Sequence, residues 1–397
     1  MKKSGIRMII PKLAIRNILG AGLRTWLNVL VLSFAFFSII TIQGLLEGMN
    51  YQTSQSMIEA LYCGGHYWSE KYDPYDPLSL EDAHQKINEP LRRLIDTGKG
   101  TAILIVQGNM YPAGRMKPVL IKGIDPAQSL LAIPSRFLSD QHADIPAIIG
   151  NRMAESSGLQ QGDEVTLQWR DVNGTYDARD VKIVQIMQTT VQNIDVGQIW
   201  IPLQRLQELT GMTDEATIVV VSRELLAPPS VAGWSFKSLD FLLKDIYDLI
   251  RSKTVGSSII YLILMFLAML AIFDTQVLSI FRRRREMGTL MALGMTRREV
   301  IQLFTLEGAL HGVLAALLAA LYGIPLLSYF ANAGWELPQM ADSYGFSIGE
   351  KLFPMFSTGM VIGTTLLVFI ATTIVSFLPT RKISKLKPTD ALRGRMA

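Results

Sequence analysis

Four stretches of this chain are long and apolar enough to cross a bilayer, and they constrain the fold more than any other feature: Trp26 to Leu46, about Ser257 to Ile280, Val300 to Phe330, and Met355 to Leu378. A hydrocarbon core about 30 Å thick takes roughly 20 helical residues. In lipid each segment must satisfy its own backbone hydrogen bonds, so runs of this length are expected as helices. Pro325 predicts a kink in the third. At 49% hydrophobic over 397 residues, the chain is too apolar to be soluble throughout and too polar to be all membrane. The predicted fold class is membrane α-helical, with four transmembrane helices and an α+β extracytoplasmic domain inserted between helices 1 and 2. The expected segments are 1–25, a cytoplasmic N-terminal stretch; 26–46, the first span; 47–254, the outer domain with stalk helices; 255–280, the second span; and 281–299, a cytoplasmic loop. The rest are 300–330, the third span; 331–354, a short outer loop; 355–378, the fourth span; and 379–397, a cytoplasmic tail.

Cations set the orientation, because short cytoplasmic loops hold an excess of Lys and Arg. Lys2, Lys3, Arg7, Lys12, Arg16 and Arg24 precede the first span, Arg282 to Arg285 with Arg297 and Arg298 separate the second from the third, and Arg381, Lys382, Lys385, Lys387, Arg393 and Arg395 follow the fourth. The 331–354 loop has Lys351 as its only cation, beside Glu336, Asp342 and Glu350. Both termini are therefore expected in the cytoplasm, and the net charge of +4 is read as a topology signal, with no nucleic-acid partner. The single cysteine, Cys63, allows no internal disulfide and is read as a packed small residue. No cleavable leader or lipid-attachment cysteine is expected.

The outer segment, about 200 residues, is large enough for its own core. Strands are expected at Ala102 to Val106, Val119 to Ile124, Val165 to Trp169, Val181 to Met187 and Thr217 to Val221. Asn173-Gly174 reads as a type I′ hairpin turn between two of them. Helices are expected at Ser79 to Ile95, capped by Ser79 with Asp82, and at Leu203 to Leu209. Phe236, Leu239, Leu242, Leu243, Ile246, Leu249 and Ile250 recur at helical spacing, and no proline interrupts Ser235 to Ile280. That predicts one rod of roughly 65 Å. With Glu47 to Leu61 it reads as a stalk; the alternative is an amphipathic helix lying on the domain's sheet.

Catalytic signatures are missing. No phosphate-binding Gly-x-x-x-x-Gly-Lys-Ser/Thr loop occurs, and His66, His84, His142 and His311 make no i,i+4 metal pair. The chain is expected to be non-catalytic and to hold no cofactor. Asp274, Glu307 and His311 lie within spans, where ionisable groups face other helices, water or a partner. Glu307 and His311 at i,i+4 can touch; they are read as an internal polar contact near the cytoplasmic loops, with a proton relay as the alternative. Small residues at Gly308, Gly312, Ala316 and Ala320, and at Gly359 and Gly363, predict close helix packing. In the loop after the second span, Met287, Leu290, Met291 and Leu293 form an apolar face on a short helix ending at Gly294, a natural docking element for a soluble partner.

That loop, Arg283 to Gly294 with Glu286, Gly288 and Ala292, resembles the loop of FtsX-like/MacB-type ABC permeases, as do the entry Leu13 to Ile18 and the closing Leu386 to Arg393. Gly65-His66 and Lys122 to Pro126 resemble the lipoprotein-releasing LolC/LolE-type branch. The resemblance implies a bacterial inner-membrane subunit paired with a second permease, either itself or a paralogue, and with two ABC ATPase subunits that bind ATP and Mg. It places Arg285, Glu286, Met287, Gly288, Ala292 and Gly294 in the coupling helix that meets the ATPase. It further implies mechanotransmission to the outer domain and release of lipoprotein cargo to a periplasmic carrier. Phe36, Phe37, Ile40, Leu45, Met49, Ile259, Ile260 and Leu262 are the candidate lining of the cargo cavity; each is alternatively a residue facing membrane lipids or packing in the bundle. Efflux of peptides or amphiphiles with a membrane-fusion partner, and non-transporting signalling to a cell-wall hydrolase, are the competing functions.

Overall fold

A computed structural model describes residues 11–18, 20, 22–140, 143–189, 191–225, 227–336 and 351–381, without the side chains of 24, 192, 193 and 284. Lys2, Lys3, Arg7, His142, Asp342, Glu350, the cations from Lys382 onward and the closing Leu386 to Arg393 lie outside the described residues, as do the side chains of Arg24 and Arg284. The chain divides into two compact units. One comprises Met1–Met49, Ile250–Trp335 and Phe353–Ala397; the other comprises Asn50–Leu249 and Glu336–Leu352.

The first unit is helical. Its elements are α1 (Leu23–Met57), α2 (Lys244–Arg282), α3 (Arg284–Ala292), α4 (Arg297–Ala333) and α5 (Thr358–Thr380), with the unit boundaries falling inside α1 and α2. α1, α2, α4 and α5 are each long and apolar enough to cross a membrane. Thr296 starts α4 with a capping box closed by Glu299, and Ser357 caps α5 by accepting from the Met360 amide. α4 continues as helix through Pro325 to Ala333, so the proline does not divide the span.

Close approach explains the small residues of α4. A Cβ added to Gly308 would collide with the Ser376 side chain of α5, and one on Gly312 would meet Thr372 Oγ1 at 2.7 Å. The buried stripe continues through Ala315, Ala319 and Gly323, in place of the predicted Ala316 and Ala320. A Cβ added to Gly359 or Gly363 would meet nothing within 4 Å among the described residues, so within this chain these two glycines make no close approach. α1 meets the segment before α5 similarly: Gly44 O accepts from Met355 N at 2.9 Å, and a Cβ on Gly48 would strike the Phe353 carbonyl.

The second unit is α+β. Its main sheet contains β1 (His66–Ser69), β2 (Gly100–Met110), β3 (Lys117–Ile124), β4 (Pro146–Gly150), β5 (Glu164–Arg170), β6 (Tyr176–Met187), β7 (Gln198–Pro202), β8 (Ile218–Val221) and β9 (Trp234–Lys237). They lie in the order β9-β1-β8-β2-β3-β7-β4-β6-β5, and the far end of β2 also pairs with β5. Both faces are covered. Leu104 and Val106 enter one core with Ile121, Ile149 and Ile199, while Ile103 and Ile105 enter another with Ile148, Trp200 and Ile218. Strands buried on both sides read as continuous apolar runs.

Three expectations for this unit fail. Ser79 to Ile95 is not one helix: a 3-10 turn at Pro77–Glu81, capped by Asp76, precedes the short strand Gln85–Lys86 and a helix at Glu89–Asp96. Pro90 is best tolerated in the first turn of a helix, where its missing N–H costs no hydrogen bond, and it occupies that place in Glu89–Asp96. The Asn173-Gly174 hairpin forms, but its loop runs from Asp171 to Thr175 and is closed by Asp171 N donating to Thr175 O. Asp171 Oδ1 accepts from the Asn173 and Thr175 amides, which makes this a five-residue loop with only Gly174 at positive φ. The rod from Ser235 is broken, because Ser235 to Lys237 is strand β9 against β1, and helix resumes at Leu239–Leu242 and then Lys244. Leu243 and Ile246 pack on the sheet with Met57, Ala60 and Cys63, so this part of the amphipathic run follows the alternative reading. The remaining helix, α2, is about 58 Å long.

Candidate functional site

The predicted docking helix forms at α3 and ends as expected, with Gly294 at φ +100. Its apolar face, however, turns inward. Met287 is wholly buried with Ile280, Val300 and Phe304, and Leu290 and Met291 pack on the same cluster. Gly288 is buried too, so Met287 and Gly288 seat the helix. Arg285, Glu286, Ala292, Leu293 and Gly294 are exposed. Leu293, at 79% exposure, is the most exposed large apolar side chain of the described residues. The outward surface is thus a basic-to-apolar ridge mounted on a buried anchor.

Beneath α3 lies a polar node that sequence reading missed. Arg283 donates from Nη1 to Glu307 Oε2 at 2.7 Å, and from Nε and Nη2 to the two Glu286 oxygens at 2.6 Å each. Asn17 Nδ2 donates to Glu307 Oε1 at 2.6 Å. The guanidinium also lies 4.7 Å from the Phe304 ring centroid. One arginine fork therefore joins α3 to α4, and Glu307 carries the link to the helix at 11–18, whose Ala14 is buried with Leu303. The hydrogen bond from Arg283 holds the Glu286 carboxyl below its ordinary range. The signal was present in the Asn17 of the entry motif and the Arg283 of the loop; what the sequence lacked was the fold that brings positions 290 and 24 residues away onto Glu307.

The expected Glu307–His311 contact is different in kind. His311 Nδ1 bonds to the backbone carbonyl of Glu307 at 2.9 Å, and the Glu307 carboxylate turns to Arg283 and Asn17. This is the internal polar contact near the loops, and no direct carboxylate–imidazole relay forms. His311 Nε2, Gln276 Oε1 and Ser376 Oγ are buried without hydrogen-bond partners among the described residues. Asp274 lies on the exposed side of α2.

The proposed cavity liners divide into three sets. Phe36 and Ile40 are buried among Ala268, Met269, Ile272 and Ala315. Phe37 sits half-buried with its ring 5.3 Å from Tyr322, and Leu45 and Met49 are also half-buried. Ile259, Ile260 and Leu262 are 61%, 50% and 63% exposed. Phe36 and Ile40 are therefore packing residues, while the α2 set forms an open apolar face.

Comparison with known proteins matches this architecture in both parts. The family model for the MacB-like periplasmic core domain covers residues 25–232, and that for the FtsX-like permease C-terminal region covers 258–388. The macrolide export ATP-binding/permease protein MacB of Shewanella sp. (strain ANA-3) is 20% identical over 93% of this chain and 58% of its own length. That of Bordetella avium is 22% identical over 55% of this chain and 34% of its own length. The chain thus spans under two thirds of these relatives. Their names speak of macrolide export, and neither supports the narrower likeness to lipoprotein-releasing permeases. The extracellular domain of the noncanonical ABC-type transporter YknZ from Gram-positive bacteria aligns at 14% identity over 40% of this chain and 82% of that one, with a TM-score of 0.25 that carries no argument about the fold. With one family model matching more than half of the sequence and a second matching the helices that follow, the chain belongs to the FtsX-like/MacB-type ABC transporter permeases.

Proposed function

We propose that this chain is the non-catalytic membrane subunit of an ABC transporter in a bacterial inner membrane, with both termini cytoplasmic and the Asn50–Leu249 unit periplasmic. The observation that carries this reading is the ridge of α3 fixed to α4 through Arg283 and Glu307. A soluble ATPase binding Arg285, Ala292 and Leu293 would pull on a group that cannot move without moving α4 and the 11–18 helix. The ATP and Mg sites belong to that partner, supplied in trans as a pair of subunits, and a second permease covers the apolar α2 face around Ile259, Ile260 and Leu262. Motion then passes outward along α1 and α2.

The cargo is an amphiphile handled at the outer leaflet. The names of the MacB relatives favour export with a membrane-fusion partner. Release of lipoproteins to a periplasmic carrier rests on the Gly65-His66 and Lys122 to Pro126 likeness alone. Purification of the chain with its ATPase in nanodiscs, followed by ATP hydrolysis in the presence of a macrolide, an amphiphilic peptide or a lipoprotein, tests the scheme. Stimulation by one of these, lost in Arg283→Met, is expected. Hydrolysis indifferent to all three but responsive to a periplasmic hydrolase would replace transport by signalling.

A further inference from the structure

The two short motifs that the coupling scheme leaves unused, Gly65-His66 and Lys122 to Pro126, each contribute one residue, His66 and Lys122, to the lining of a cavity of about 1120 Å³ within the Asn50–Leu249 unit. That volume is slightly above the usual range of small-molecule sites, about 300–1,000 Å³. Its floor is the sheet face carrying Ile105, Lys122, Trp200 and Ile218, and its wall is aromatic. Trp68 stacks edge-on with Tyr72 at 5.2 Å and with Phe241 at 5.8 Å.

Lys122 is the unusual member. It is 7% exposed, its ammonium lies 5.0 Å from the centroid of the Trp200 ring, and among the described residues it has no hydrogen-bond or ion-pair partner. A buried charge is costly unless paired, and burial lowers the Lys122 amine to about 8. His66 offers it nothing: Nδ1 accepts from Trp68 Nε1 at 3.4 Å, which leaves the Nε2 hydrogen for the Leu61 carbonyl at 2.8 Å. The acids at the rim are engaged locally, Asp73 by the Tyr75 amide, Asp76 by the Leu78 amide and Asp245 by the Tyr75 hydroxyl. Two more buried polar atoms of lining residues, Trp200 Nε1 and Gln198 Oε1, also lack partners among the described residues. An apolar, aromatic chamber with an unmatched cation on its floor fits one ligand chemistry.

We propose that this cavity binds an amphiphile whose apolar body packs on Trp68, Tyr72 and Phe241 and whose single anionic group is received by Lys122. No ATPase is needed for such binding, so the site is testable apart from transport.

The test is equilibrium binding of 1-pyrenebutyrate, and of its uncharged analogue 1-pyrenebutanol, to the full chain in nanodiscs, with empty nanodiscs as blank. Saturable binding of the carboxylate above the blank is expected. Lys122→Met should weaken the carboxylate at least tenfold and the alcohol less than twofold, whereas Phe241→Ala, at a half-exposed position, should weaken both alike. No binding above the blank, or carboxylate affinity within twofold of wild type in Lys122→Met, would overturn the proposal. Should Lys122→Met lose its thermal transition, the other two comparisons decide. Equal affinity of the wild type for acid and alcohol, or no loss in Phe241→Ala, then refutes it.

Discussion

Removing Arg283 should do more harm than removing Arg283 and Glu307 together. Arg283→Met leaves the Glu307 carboxylate, whose side chain is only 6% exposed, with Asn17 as its sole remaining side-chain donor among the described residues. Stranding one half of a buried pair costs about 3–5 kcal/mol. Arg283 itself is 23% exposed, which places the expected loss near the lower figure, about 3 kcal/mol. The Arg283–Glu286 contact adds little, since Glu286 is 47% exposed and pairs of that kind contribute about 1 kcal/mol or less. Replacing both partners with apolar groups, Arg283→Met with Glu307→Leu, removes the buried charge altogether and should restore most of the stability. The assay is a double-mutant cycle on detergent-purified protein, read by thermal unfolding and completed by stimulated ATP hydrolysis with the partner. The double variant should fold and yet fail to couple, because the link between α3 and α4 is gone. Additive single and double effects, within about 0.5 kcal/mol, would refute the node.

Three further outcomes follow from the packing and the titrating groups. Gly308→Val, which drives a side chain into Ser376, should lose about 1–3 kcal/mol and lower the amount of protein in membranes, whereas Gly359→Ala, in open space, should match wild type by the same immunoblot. On α3, Met287→Ala should cost about 2–5 kcal/mol of stability by thermal unfolding. Leu293→Asp should leave the transition in place and reduce copurification of the ATPase at least tenfold. His66 is held neutral by burial, its pKa lowered to about 4 from an ordinary 6.5. Because the unfolded chain takes up that proton first, the contribution is complete above pH 6.5 and is lost as pH falls from there toward 4, in total about 3 kcal/mol. Unfolding followed at pH 7 and 4.5 should show that slope in wild type and a flatter one in His66→Gln.

Legibility differed with the physical origin of each feature. The four spans could be read because a bilayer enforces length and hydrophobicity locally; three of their helices extend beyond the apolar runs, as α4 does from Val300 back to Arg297 and on to Ala333, while α5 starts at Thr358, three residues after the expected Met355. Alternating strands such as Val165 to Trp169 were readable for the same local reason. β4 and β7 were not, because runs of five and four residues buried on both faces carry no alternation, and their partners are set by the whole sheet. The α3 helix was legible in its length and its Gly294 stop. Its orientation was not, since Met287 looks the same on paper whether it faces a partner or Phe304. Buried polar contacts were the least legible: i,i+4 spacing paired Glu307 with His311, and tertiary structure gave the carboxylate to Arg283 and Asn17 instead.

In the proposed scheme α3 faces the cytoplasm while the Asn50–Leu249 unit lies outside. The direct measurement is labelling of intact cells with a membrane-impermeant maleimide, comparing Leu293→Cys with Arg170→Cys, two exposed positions, in a background with Cys63→Ala. Labelling of the Arg170 variant at once, and of the Leu293 variant only after the membrane is permeabilised, is the predicted result. Equal labelling of both in intact cells would put the docking ridge on the wrong side of the membrane and contradict the account.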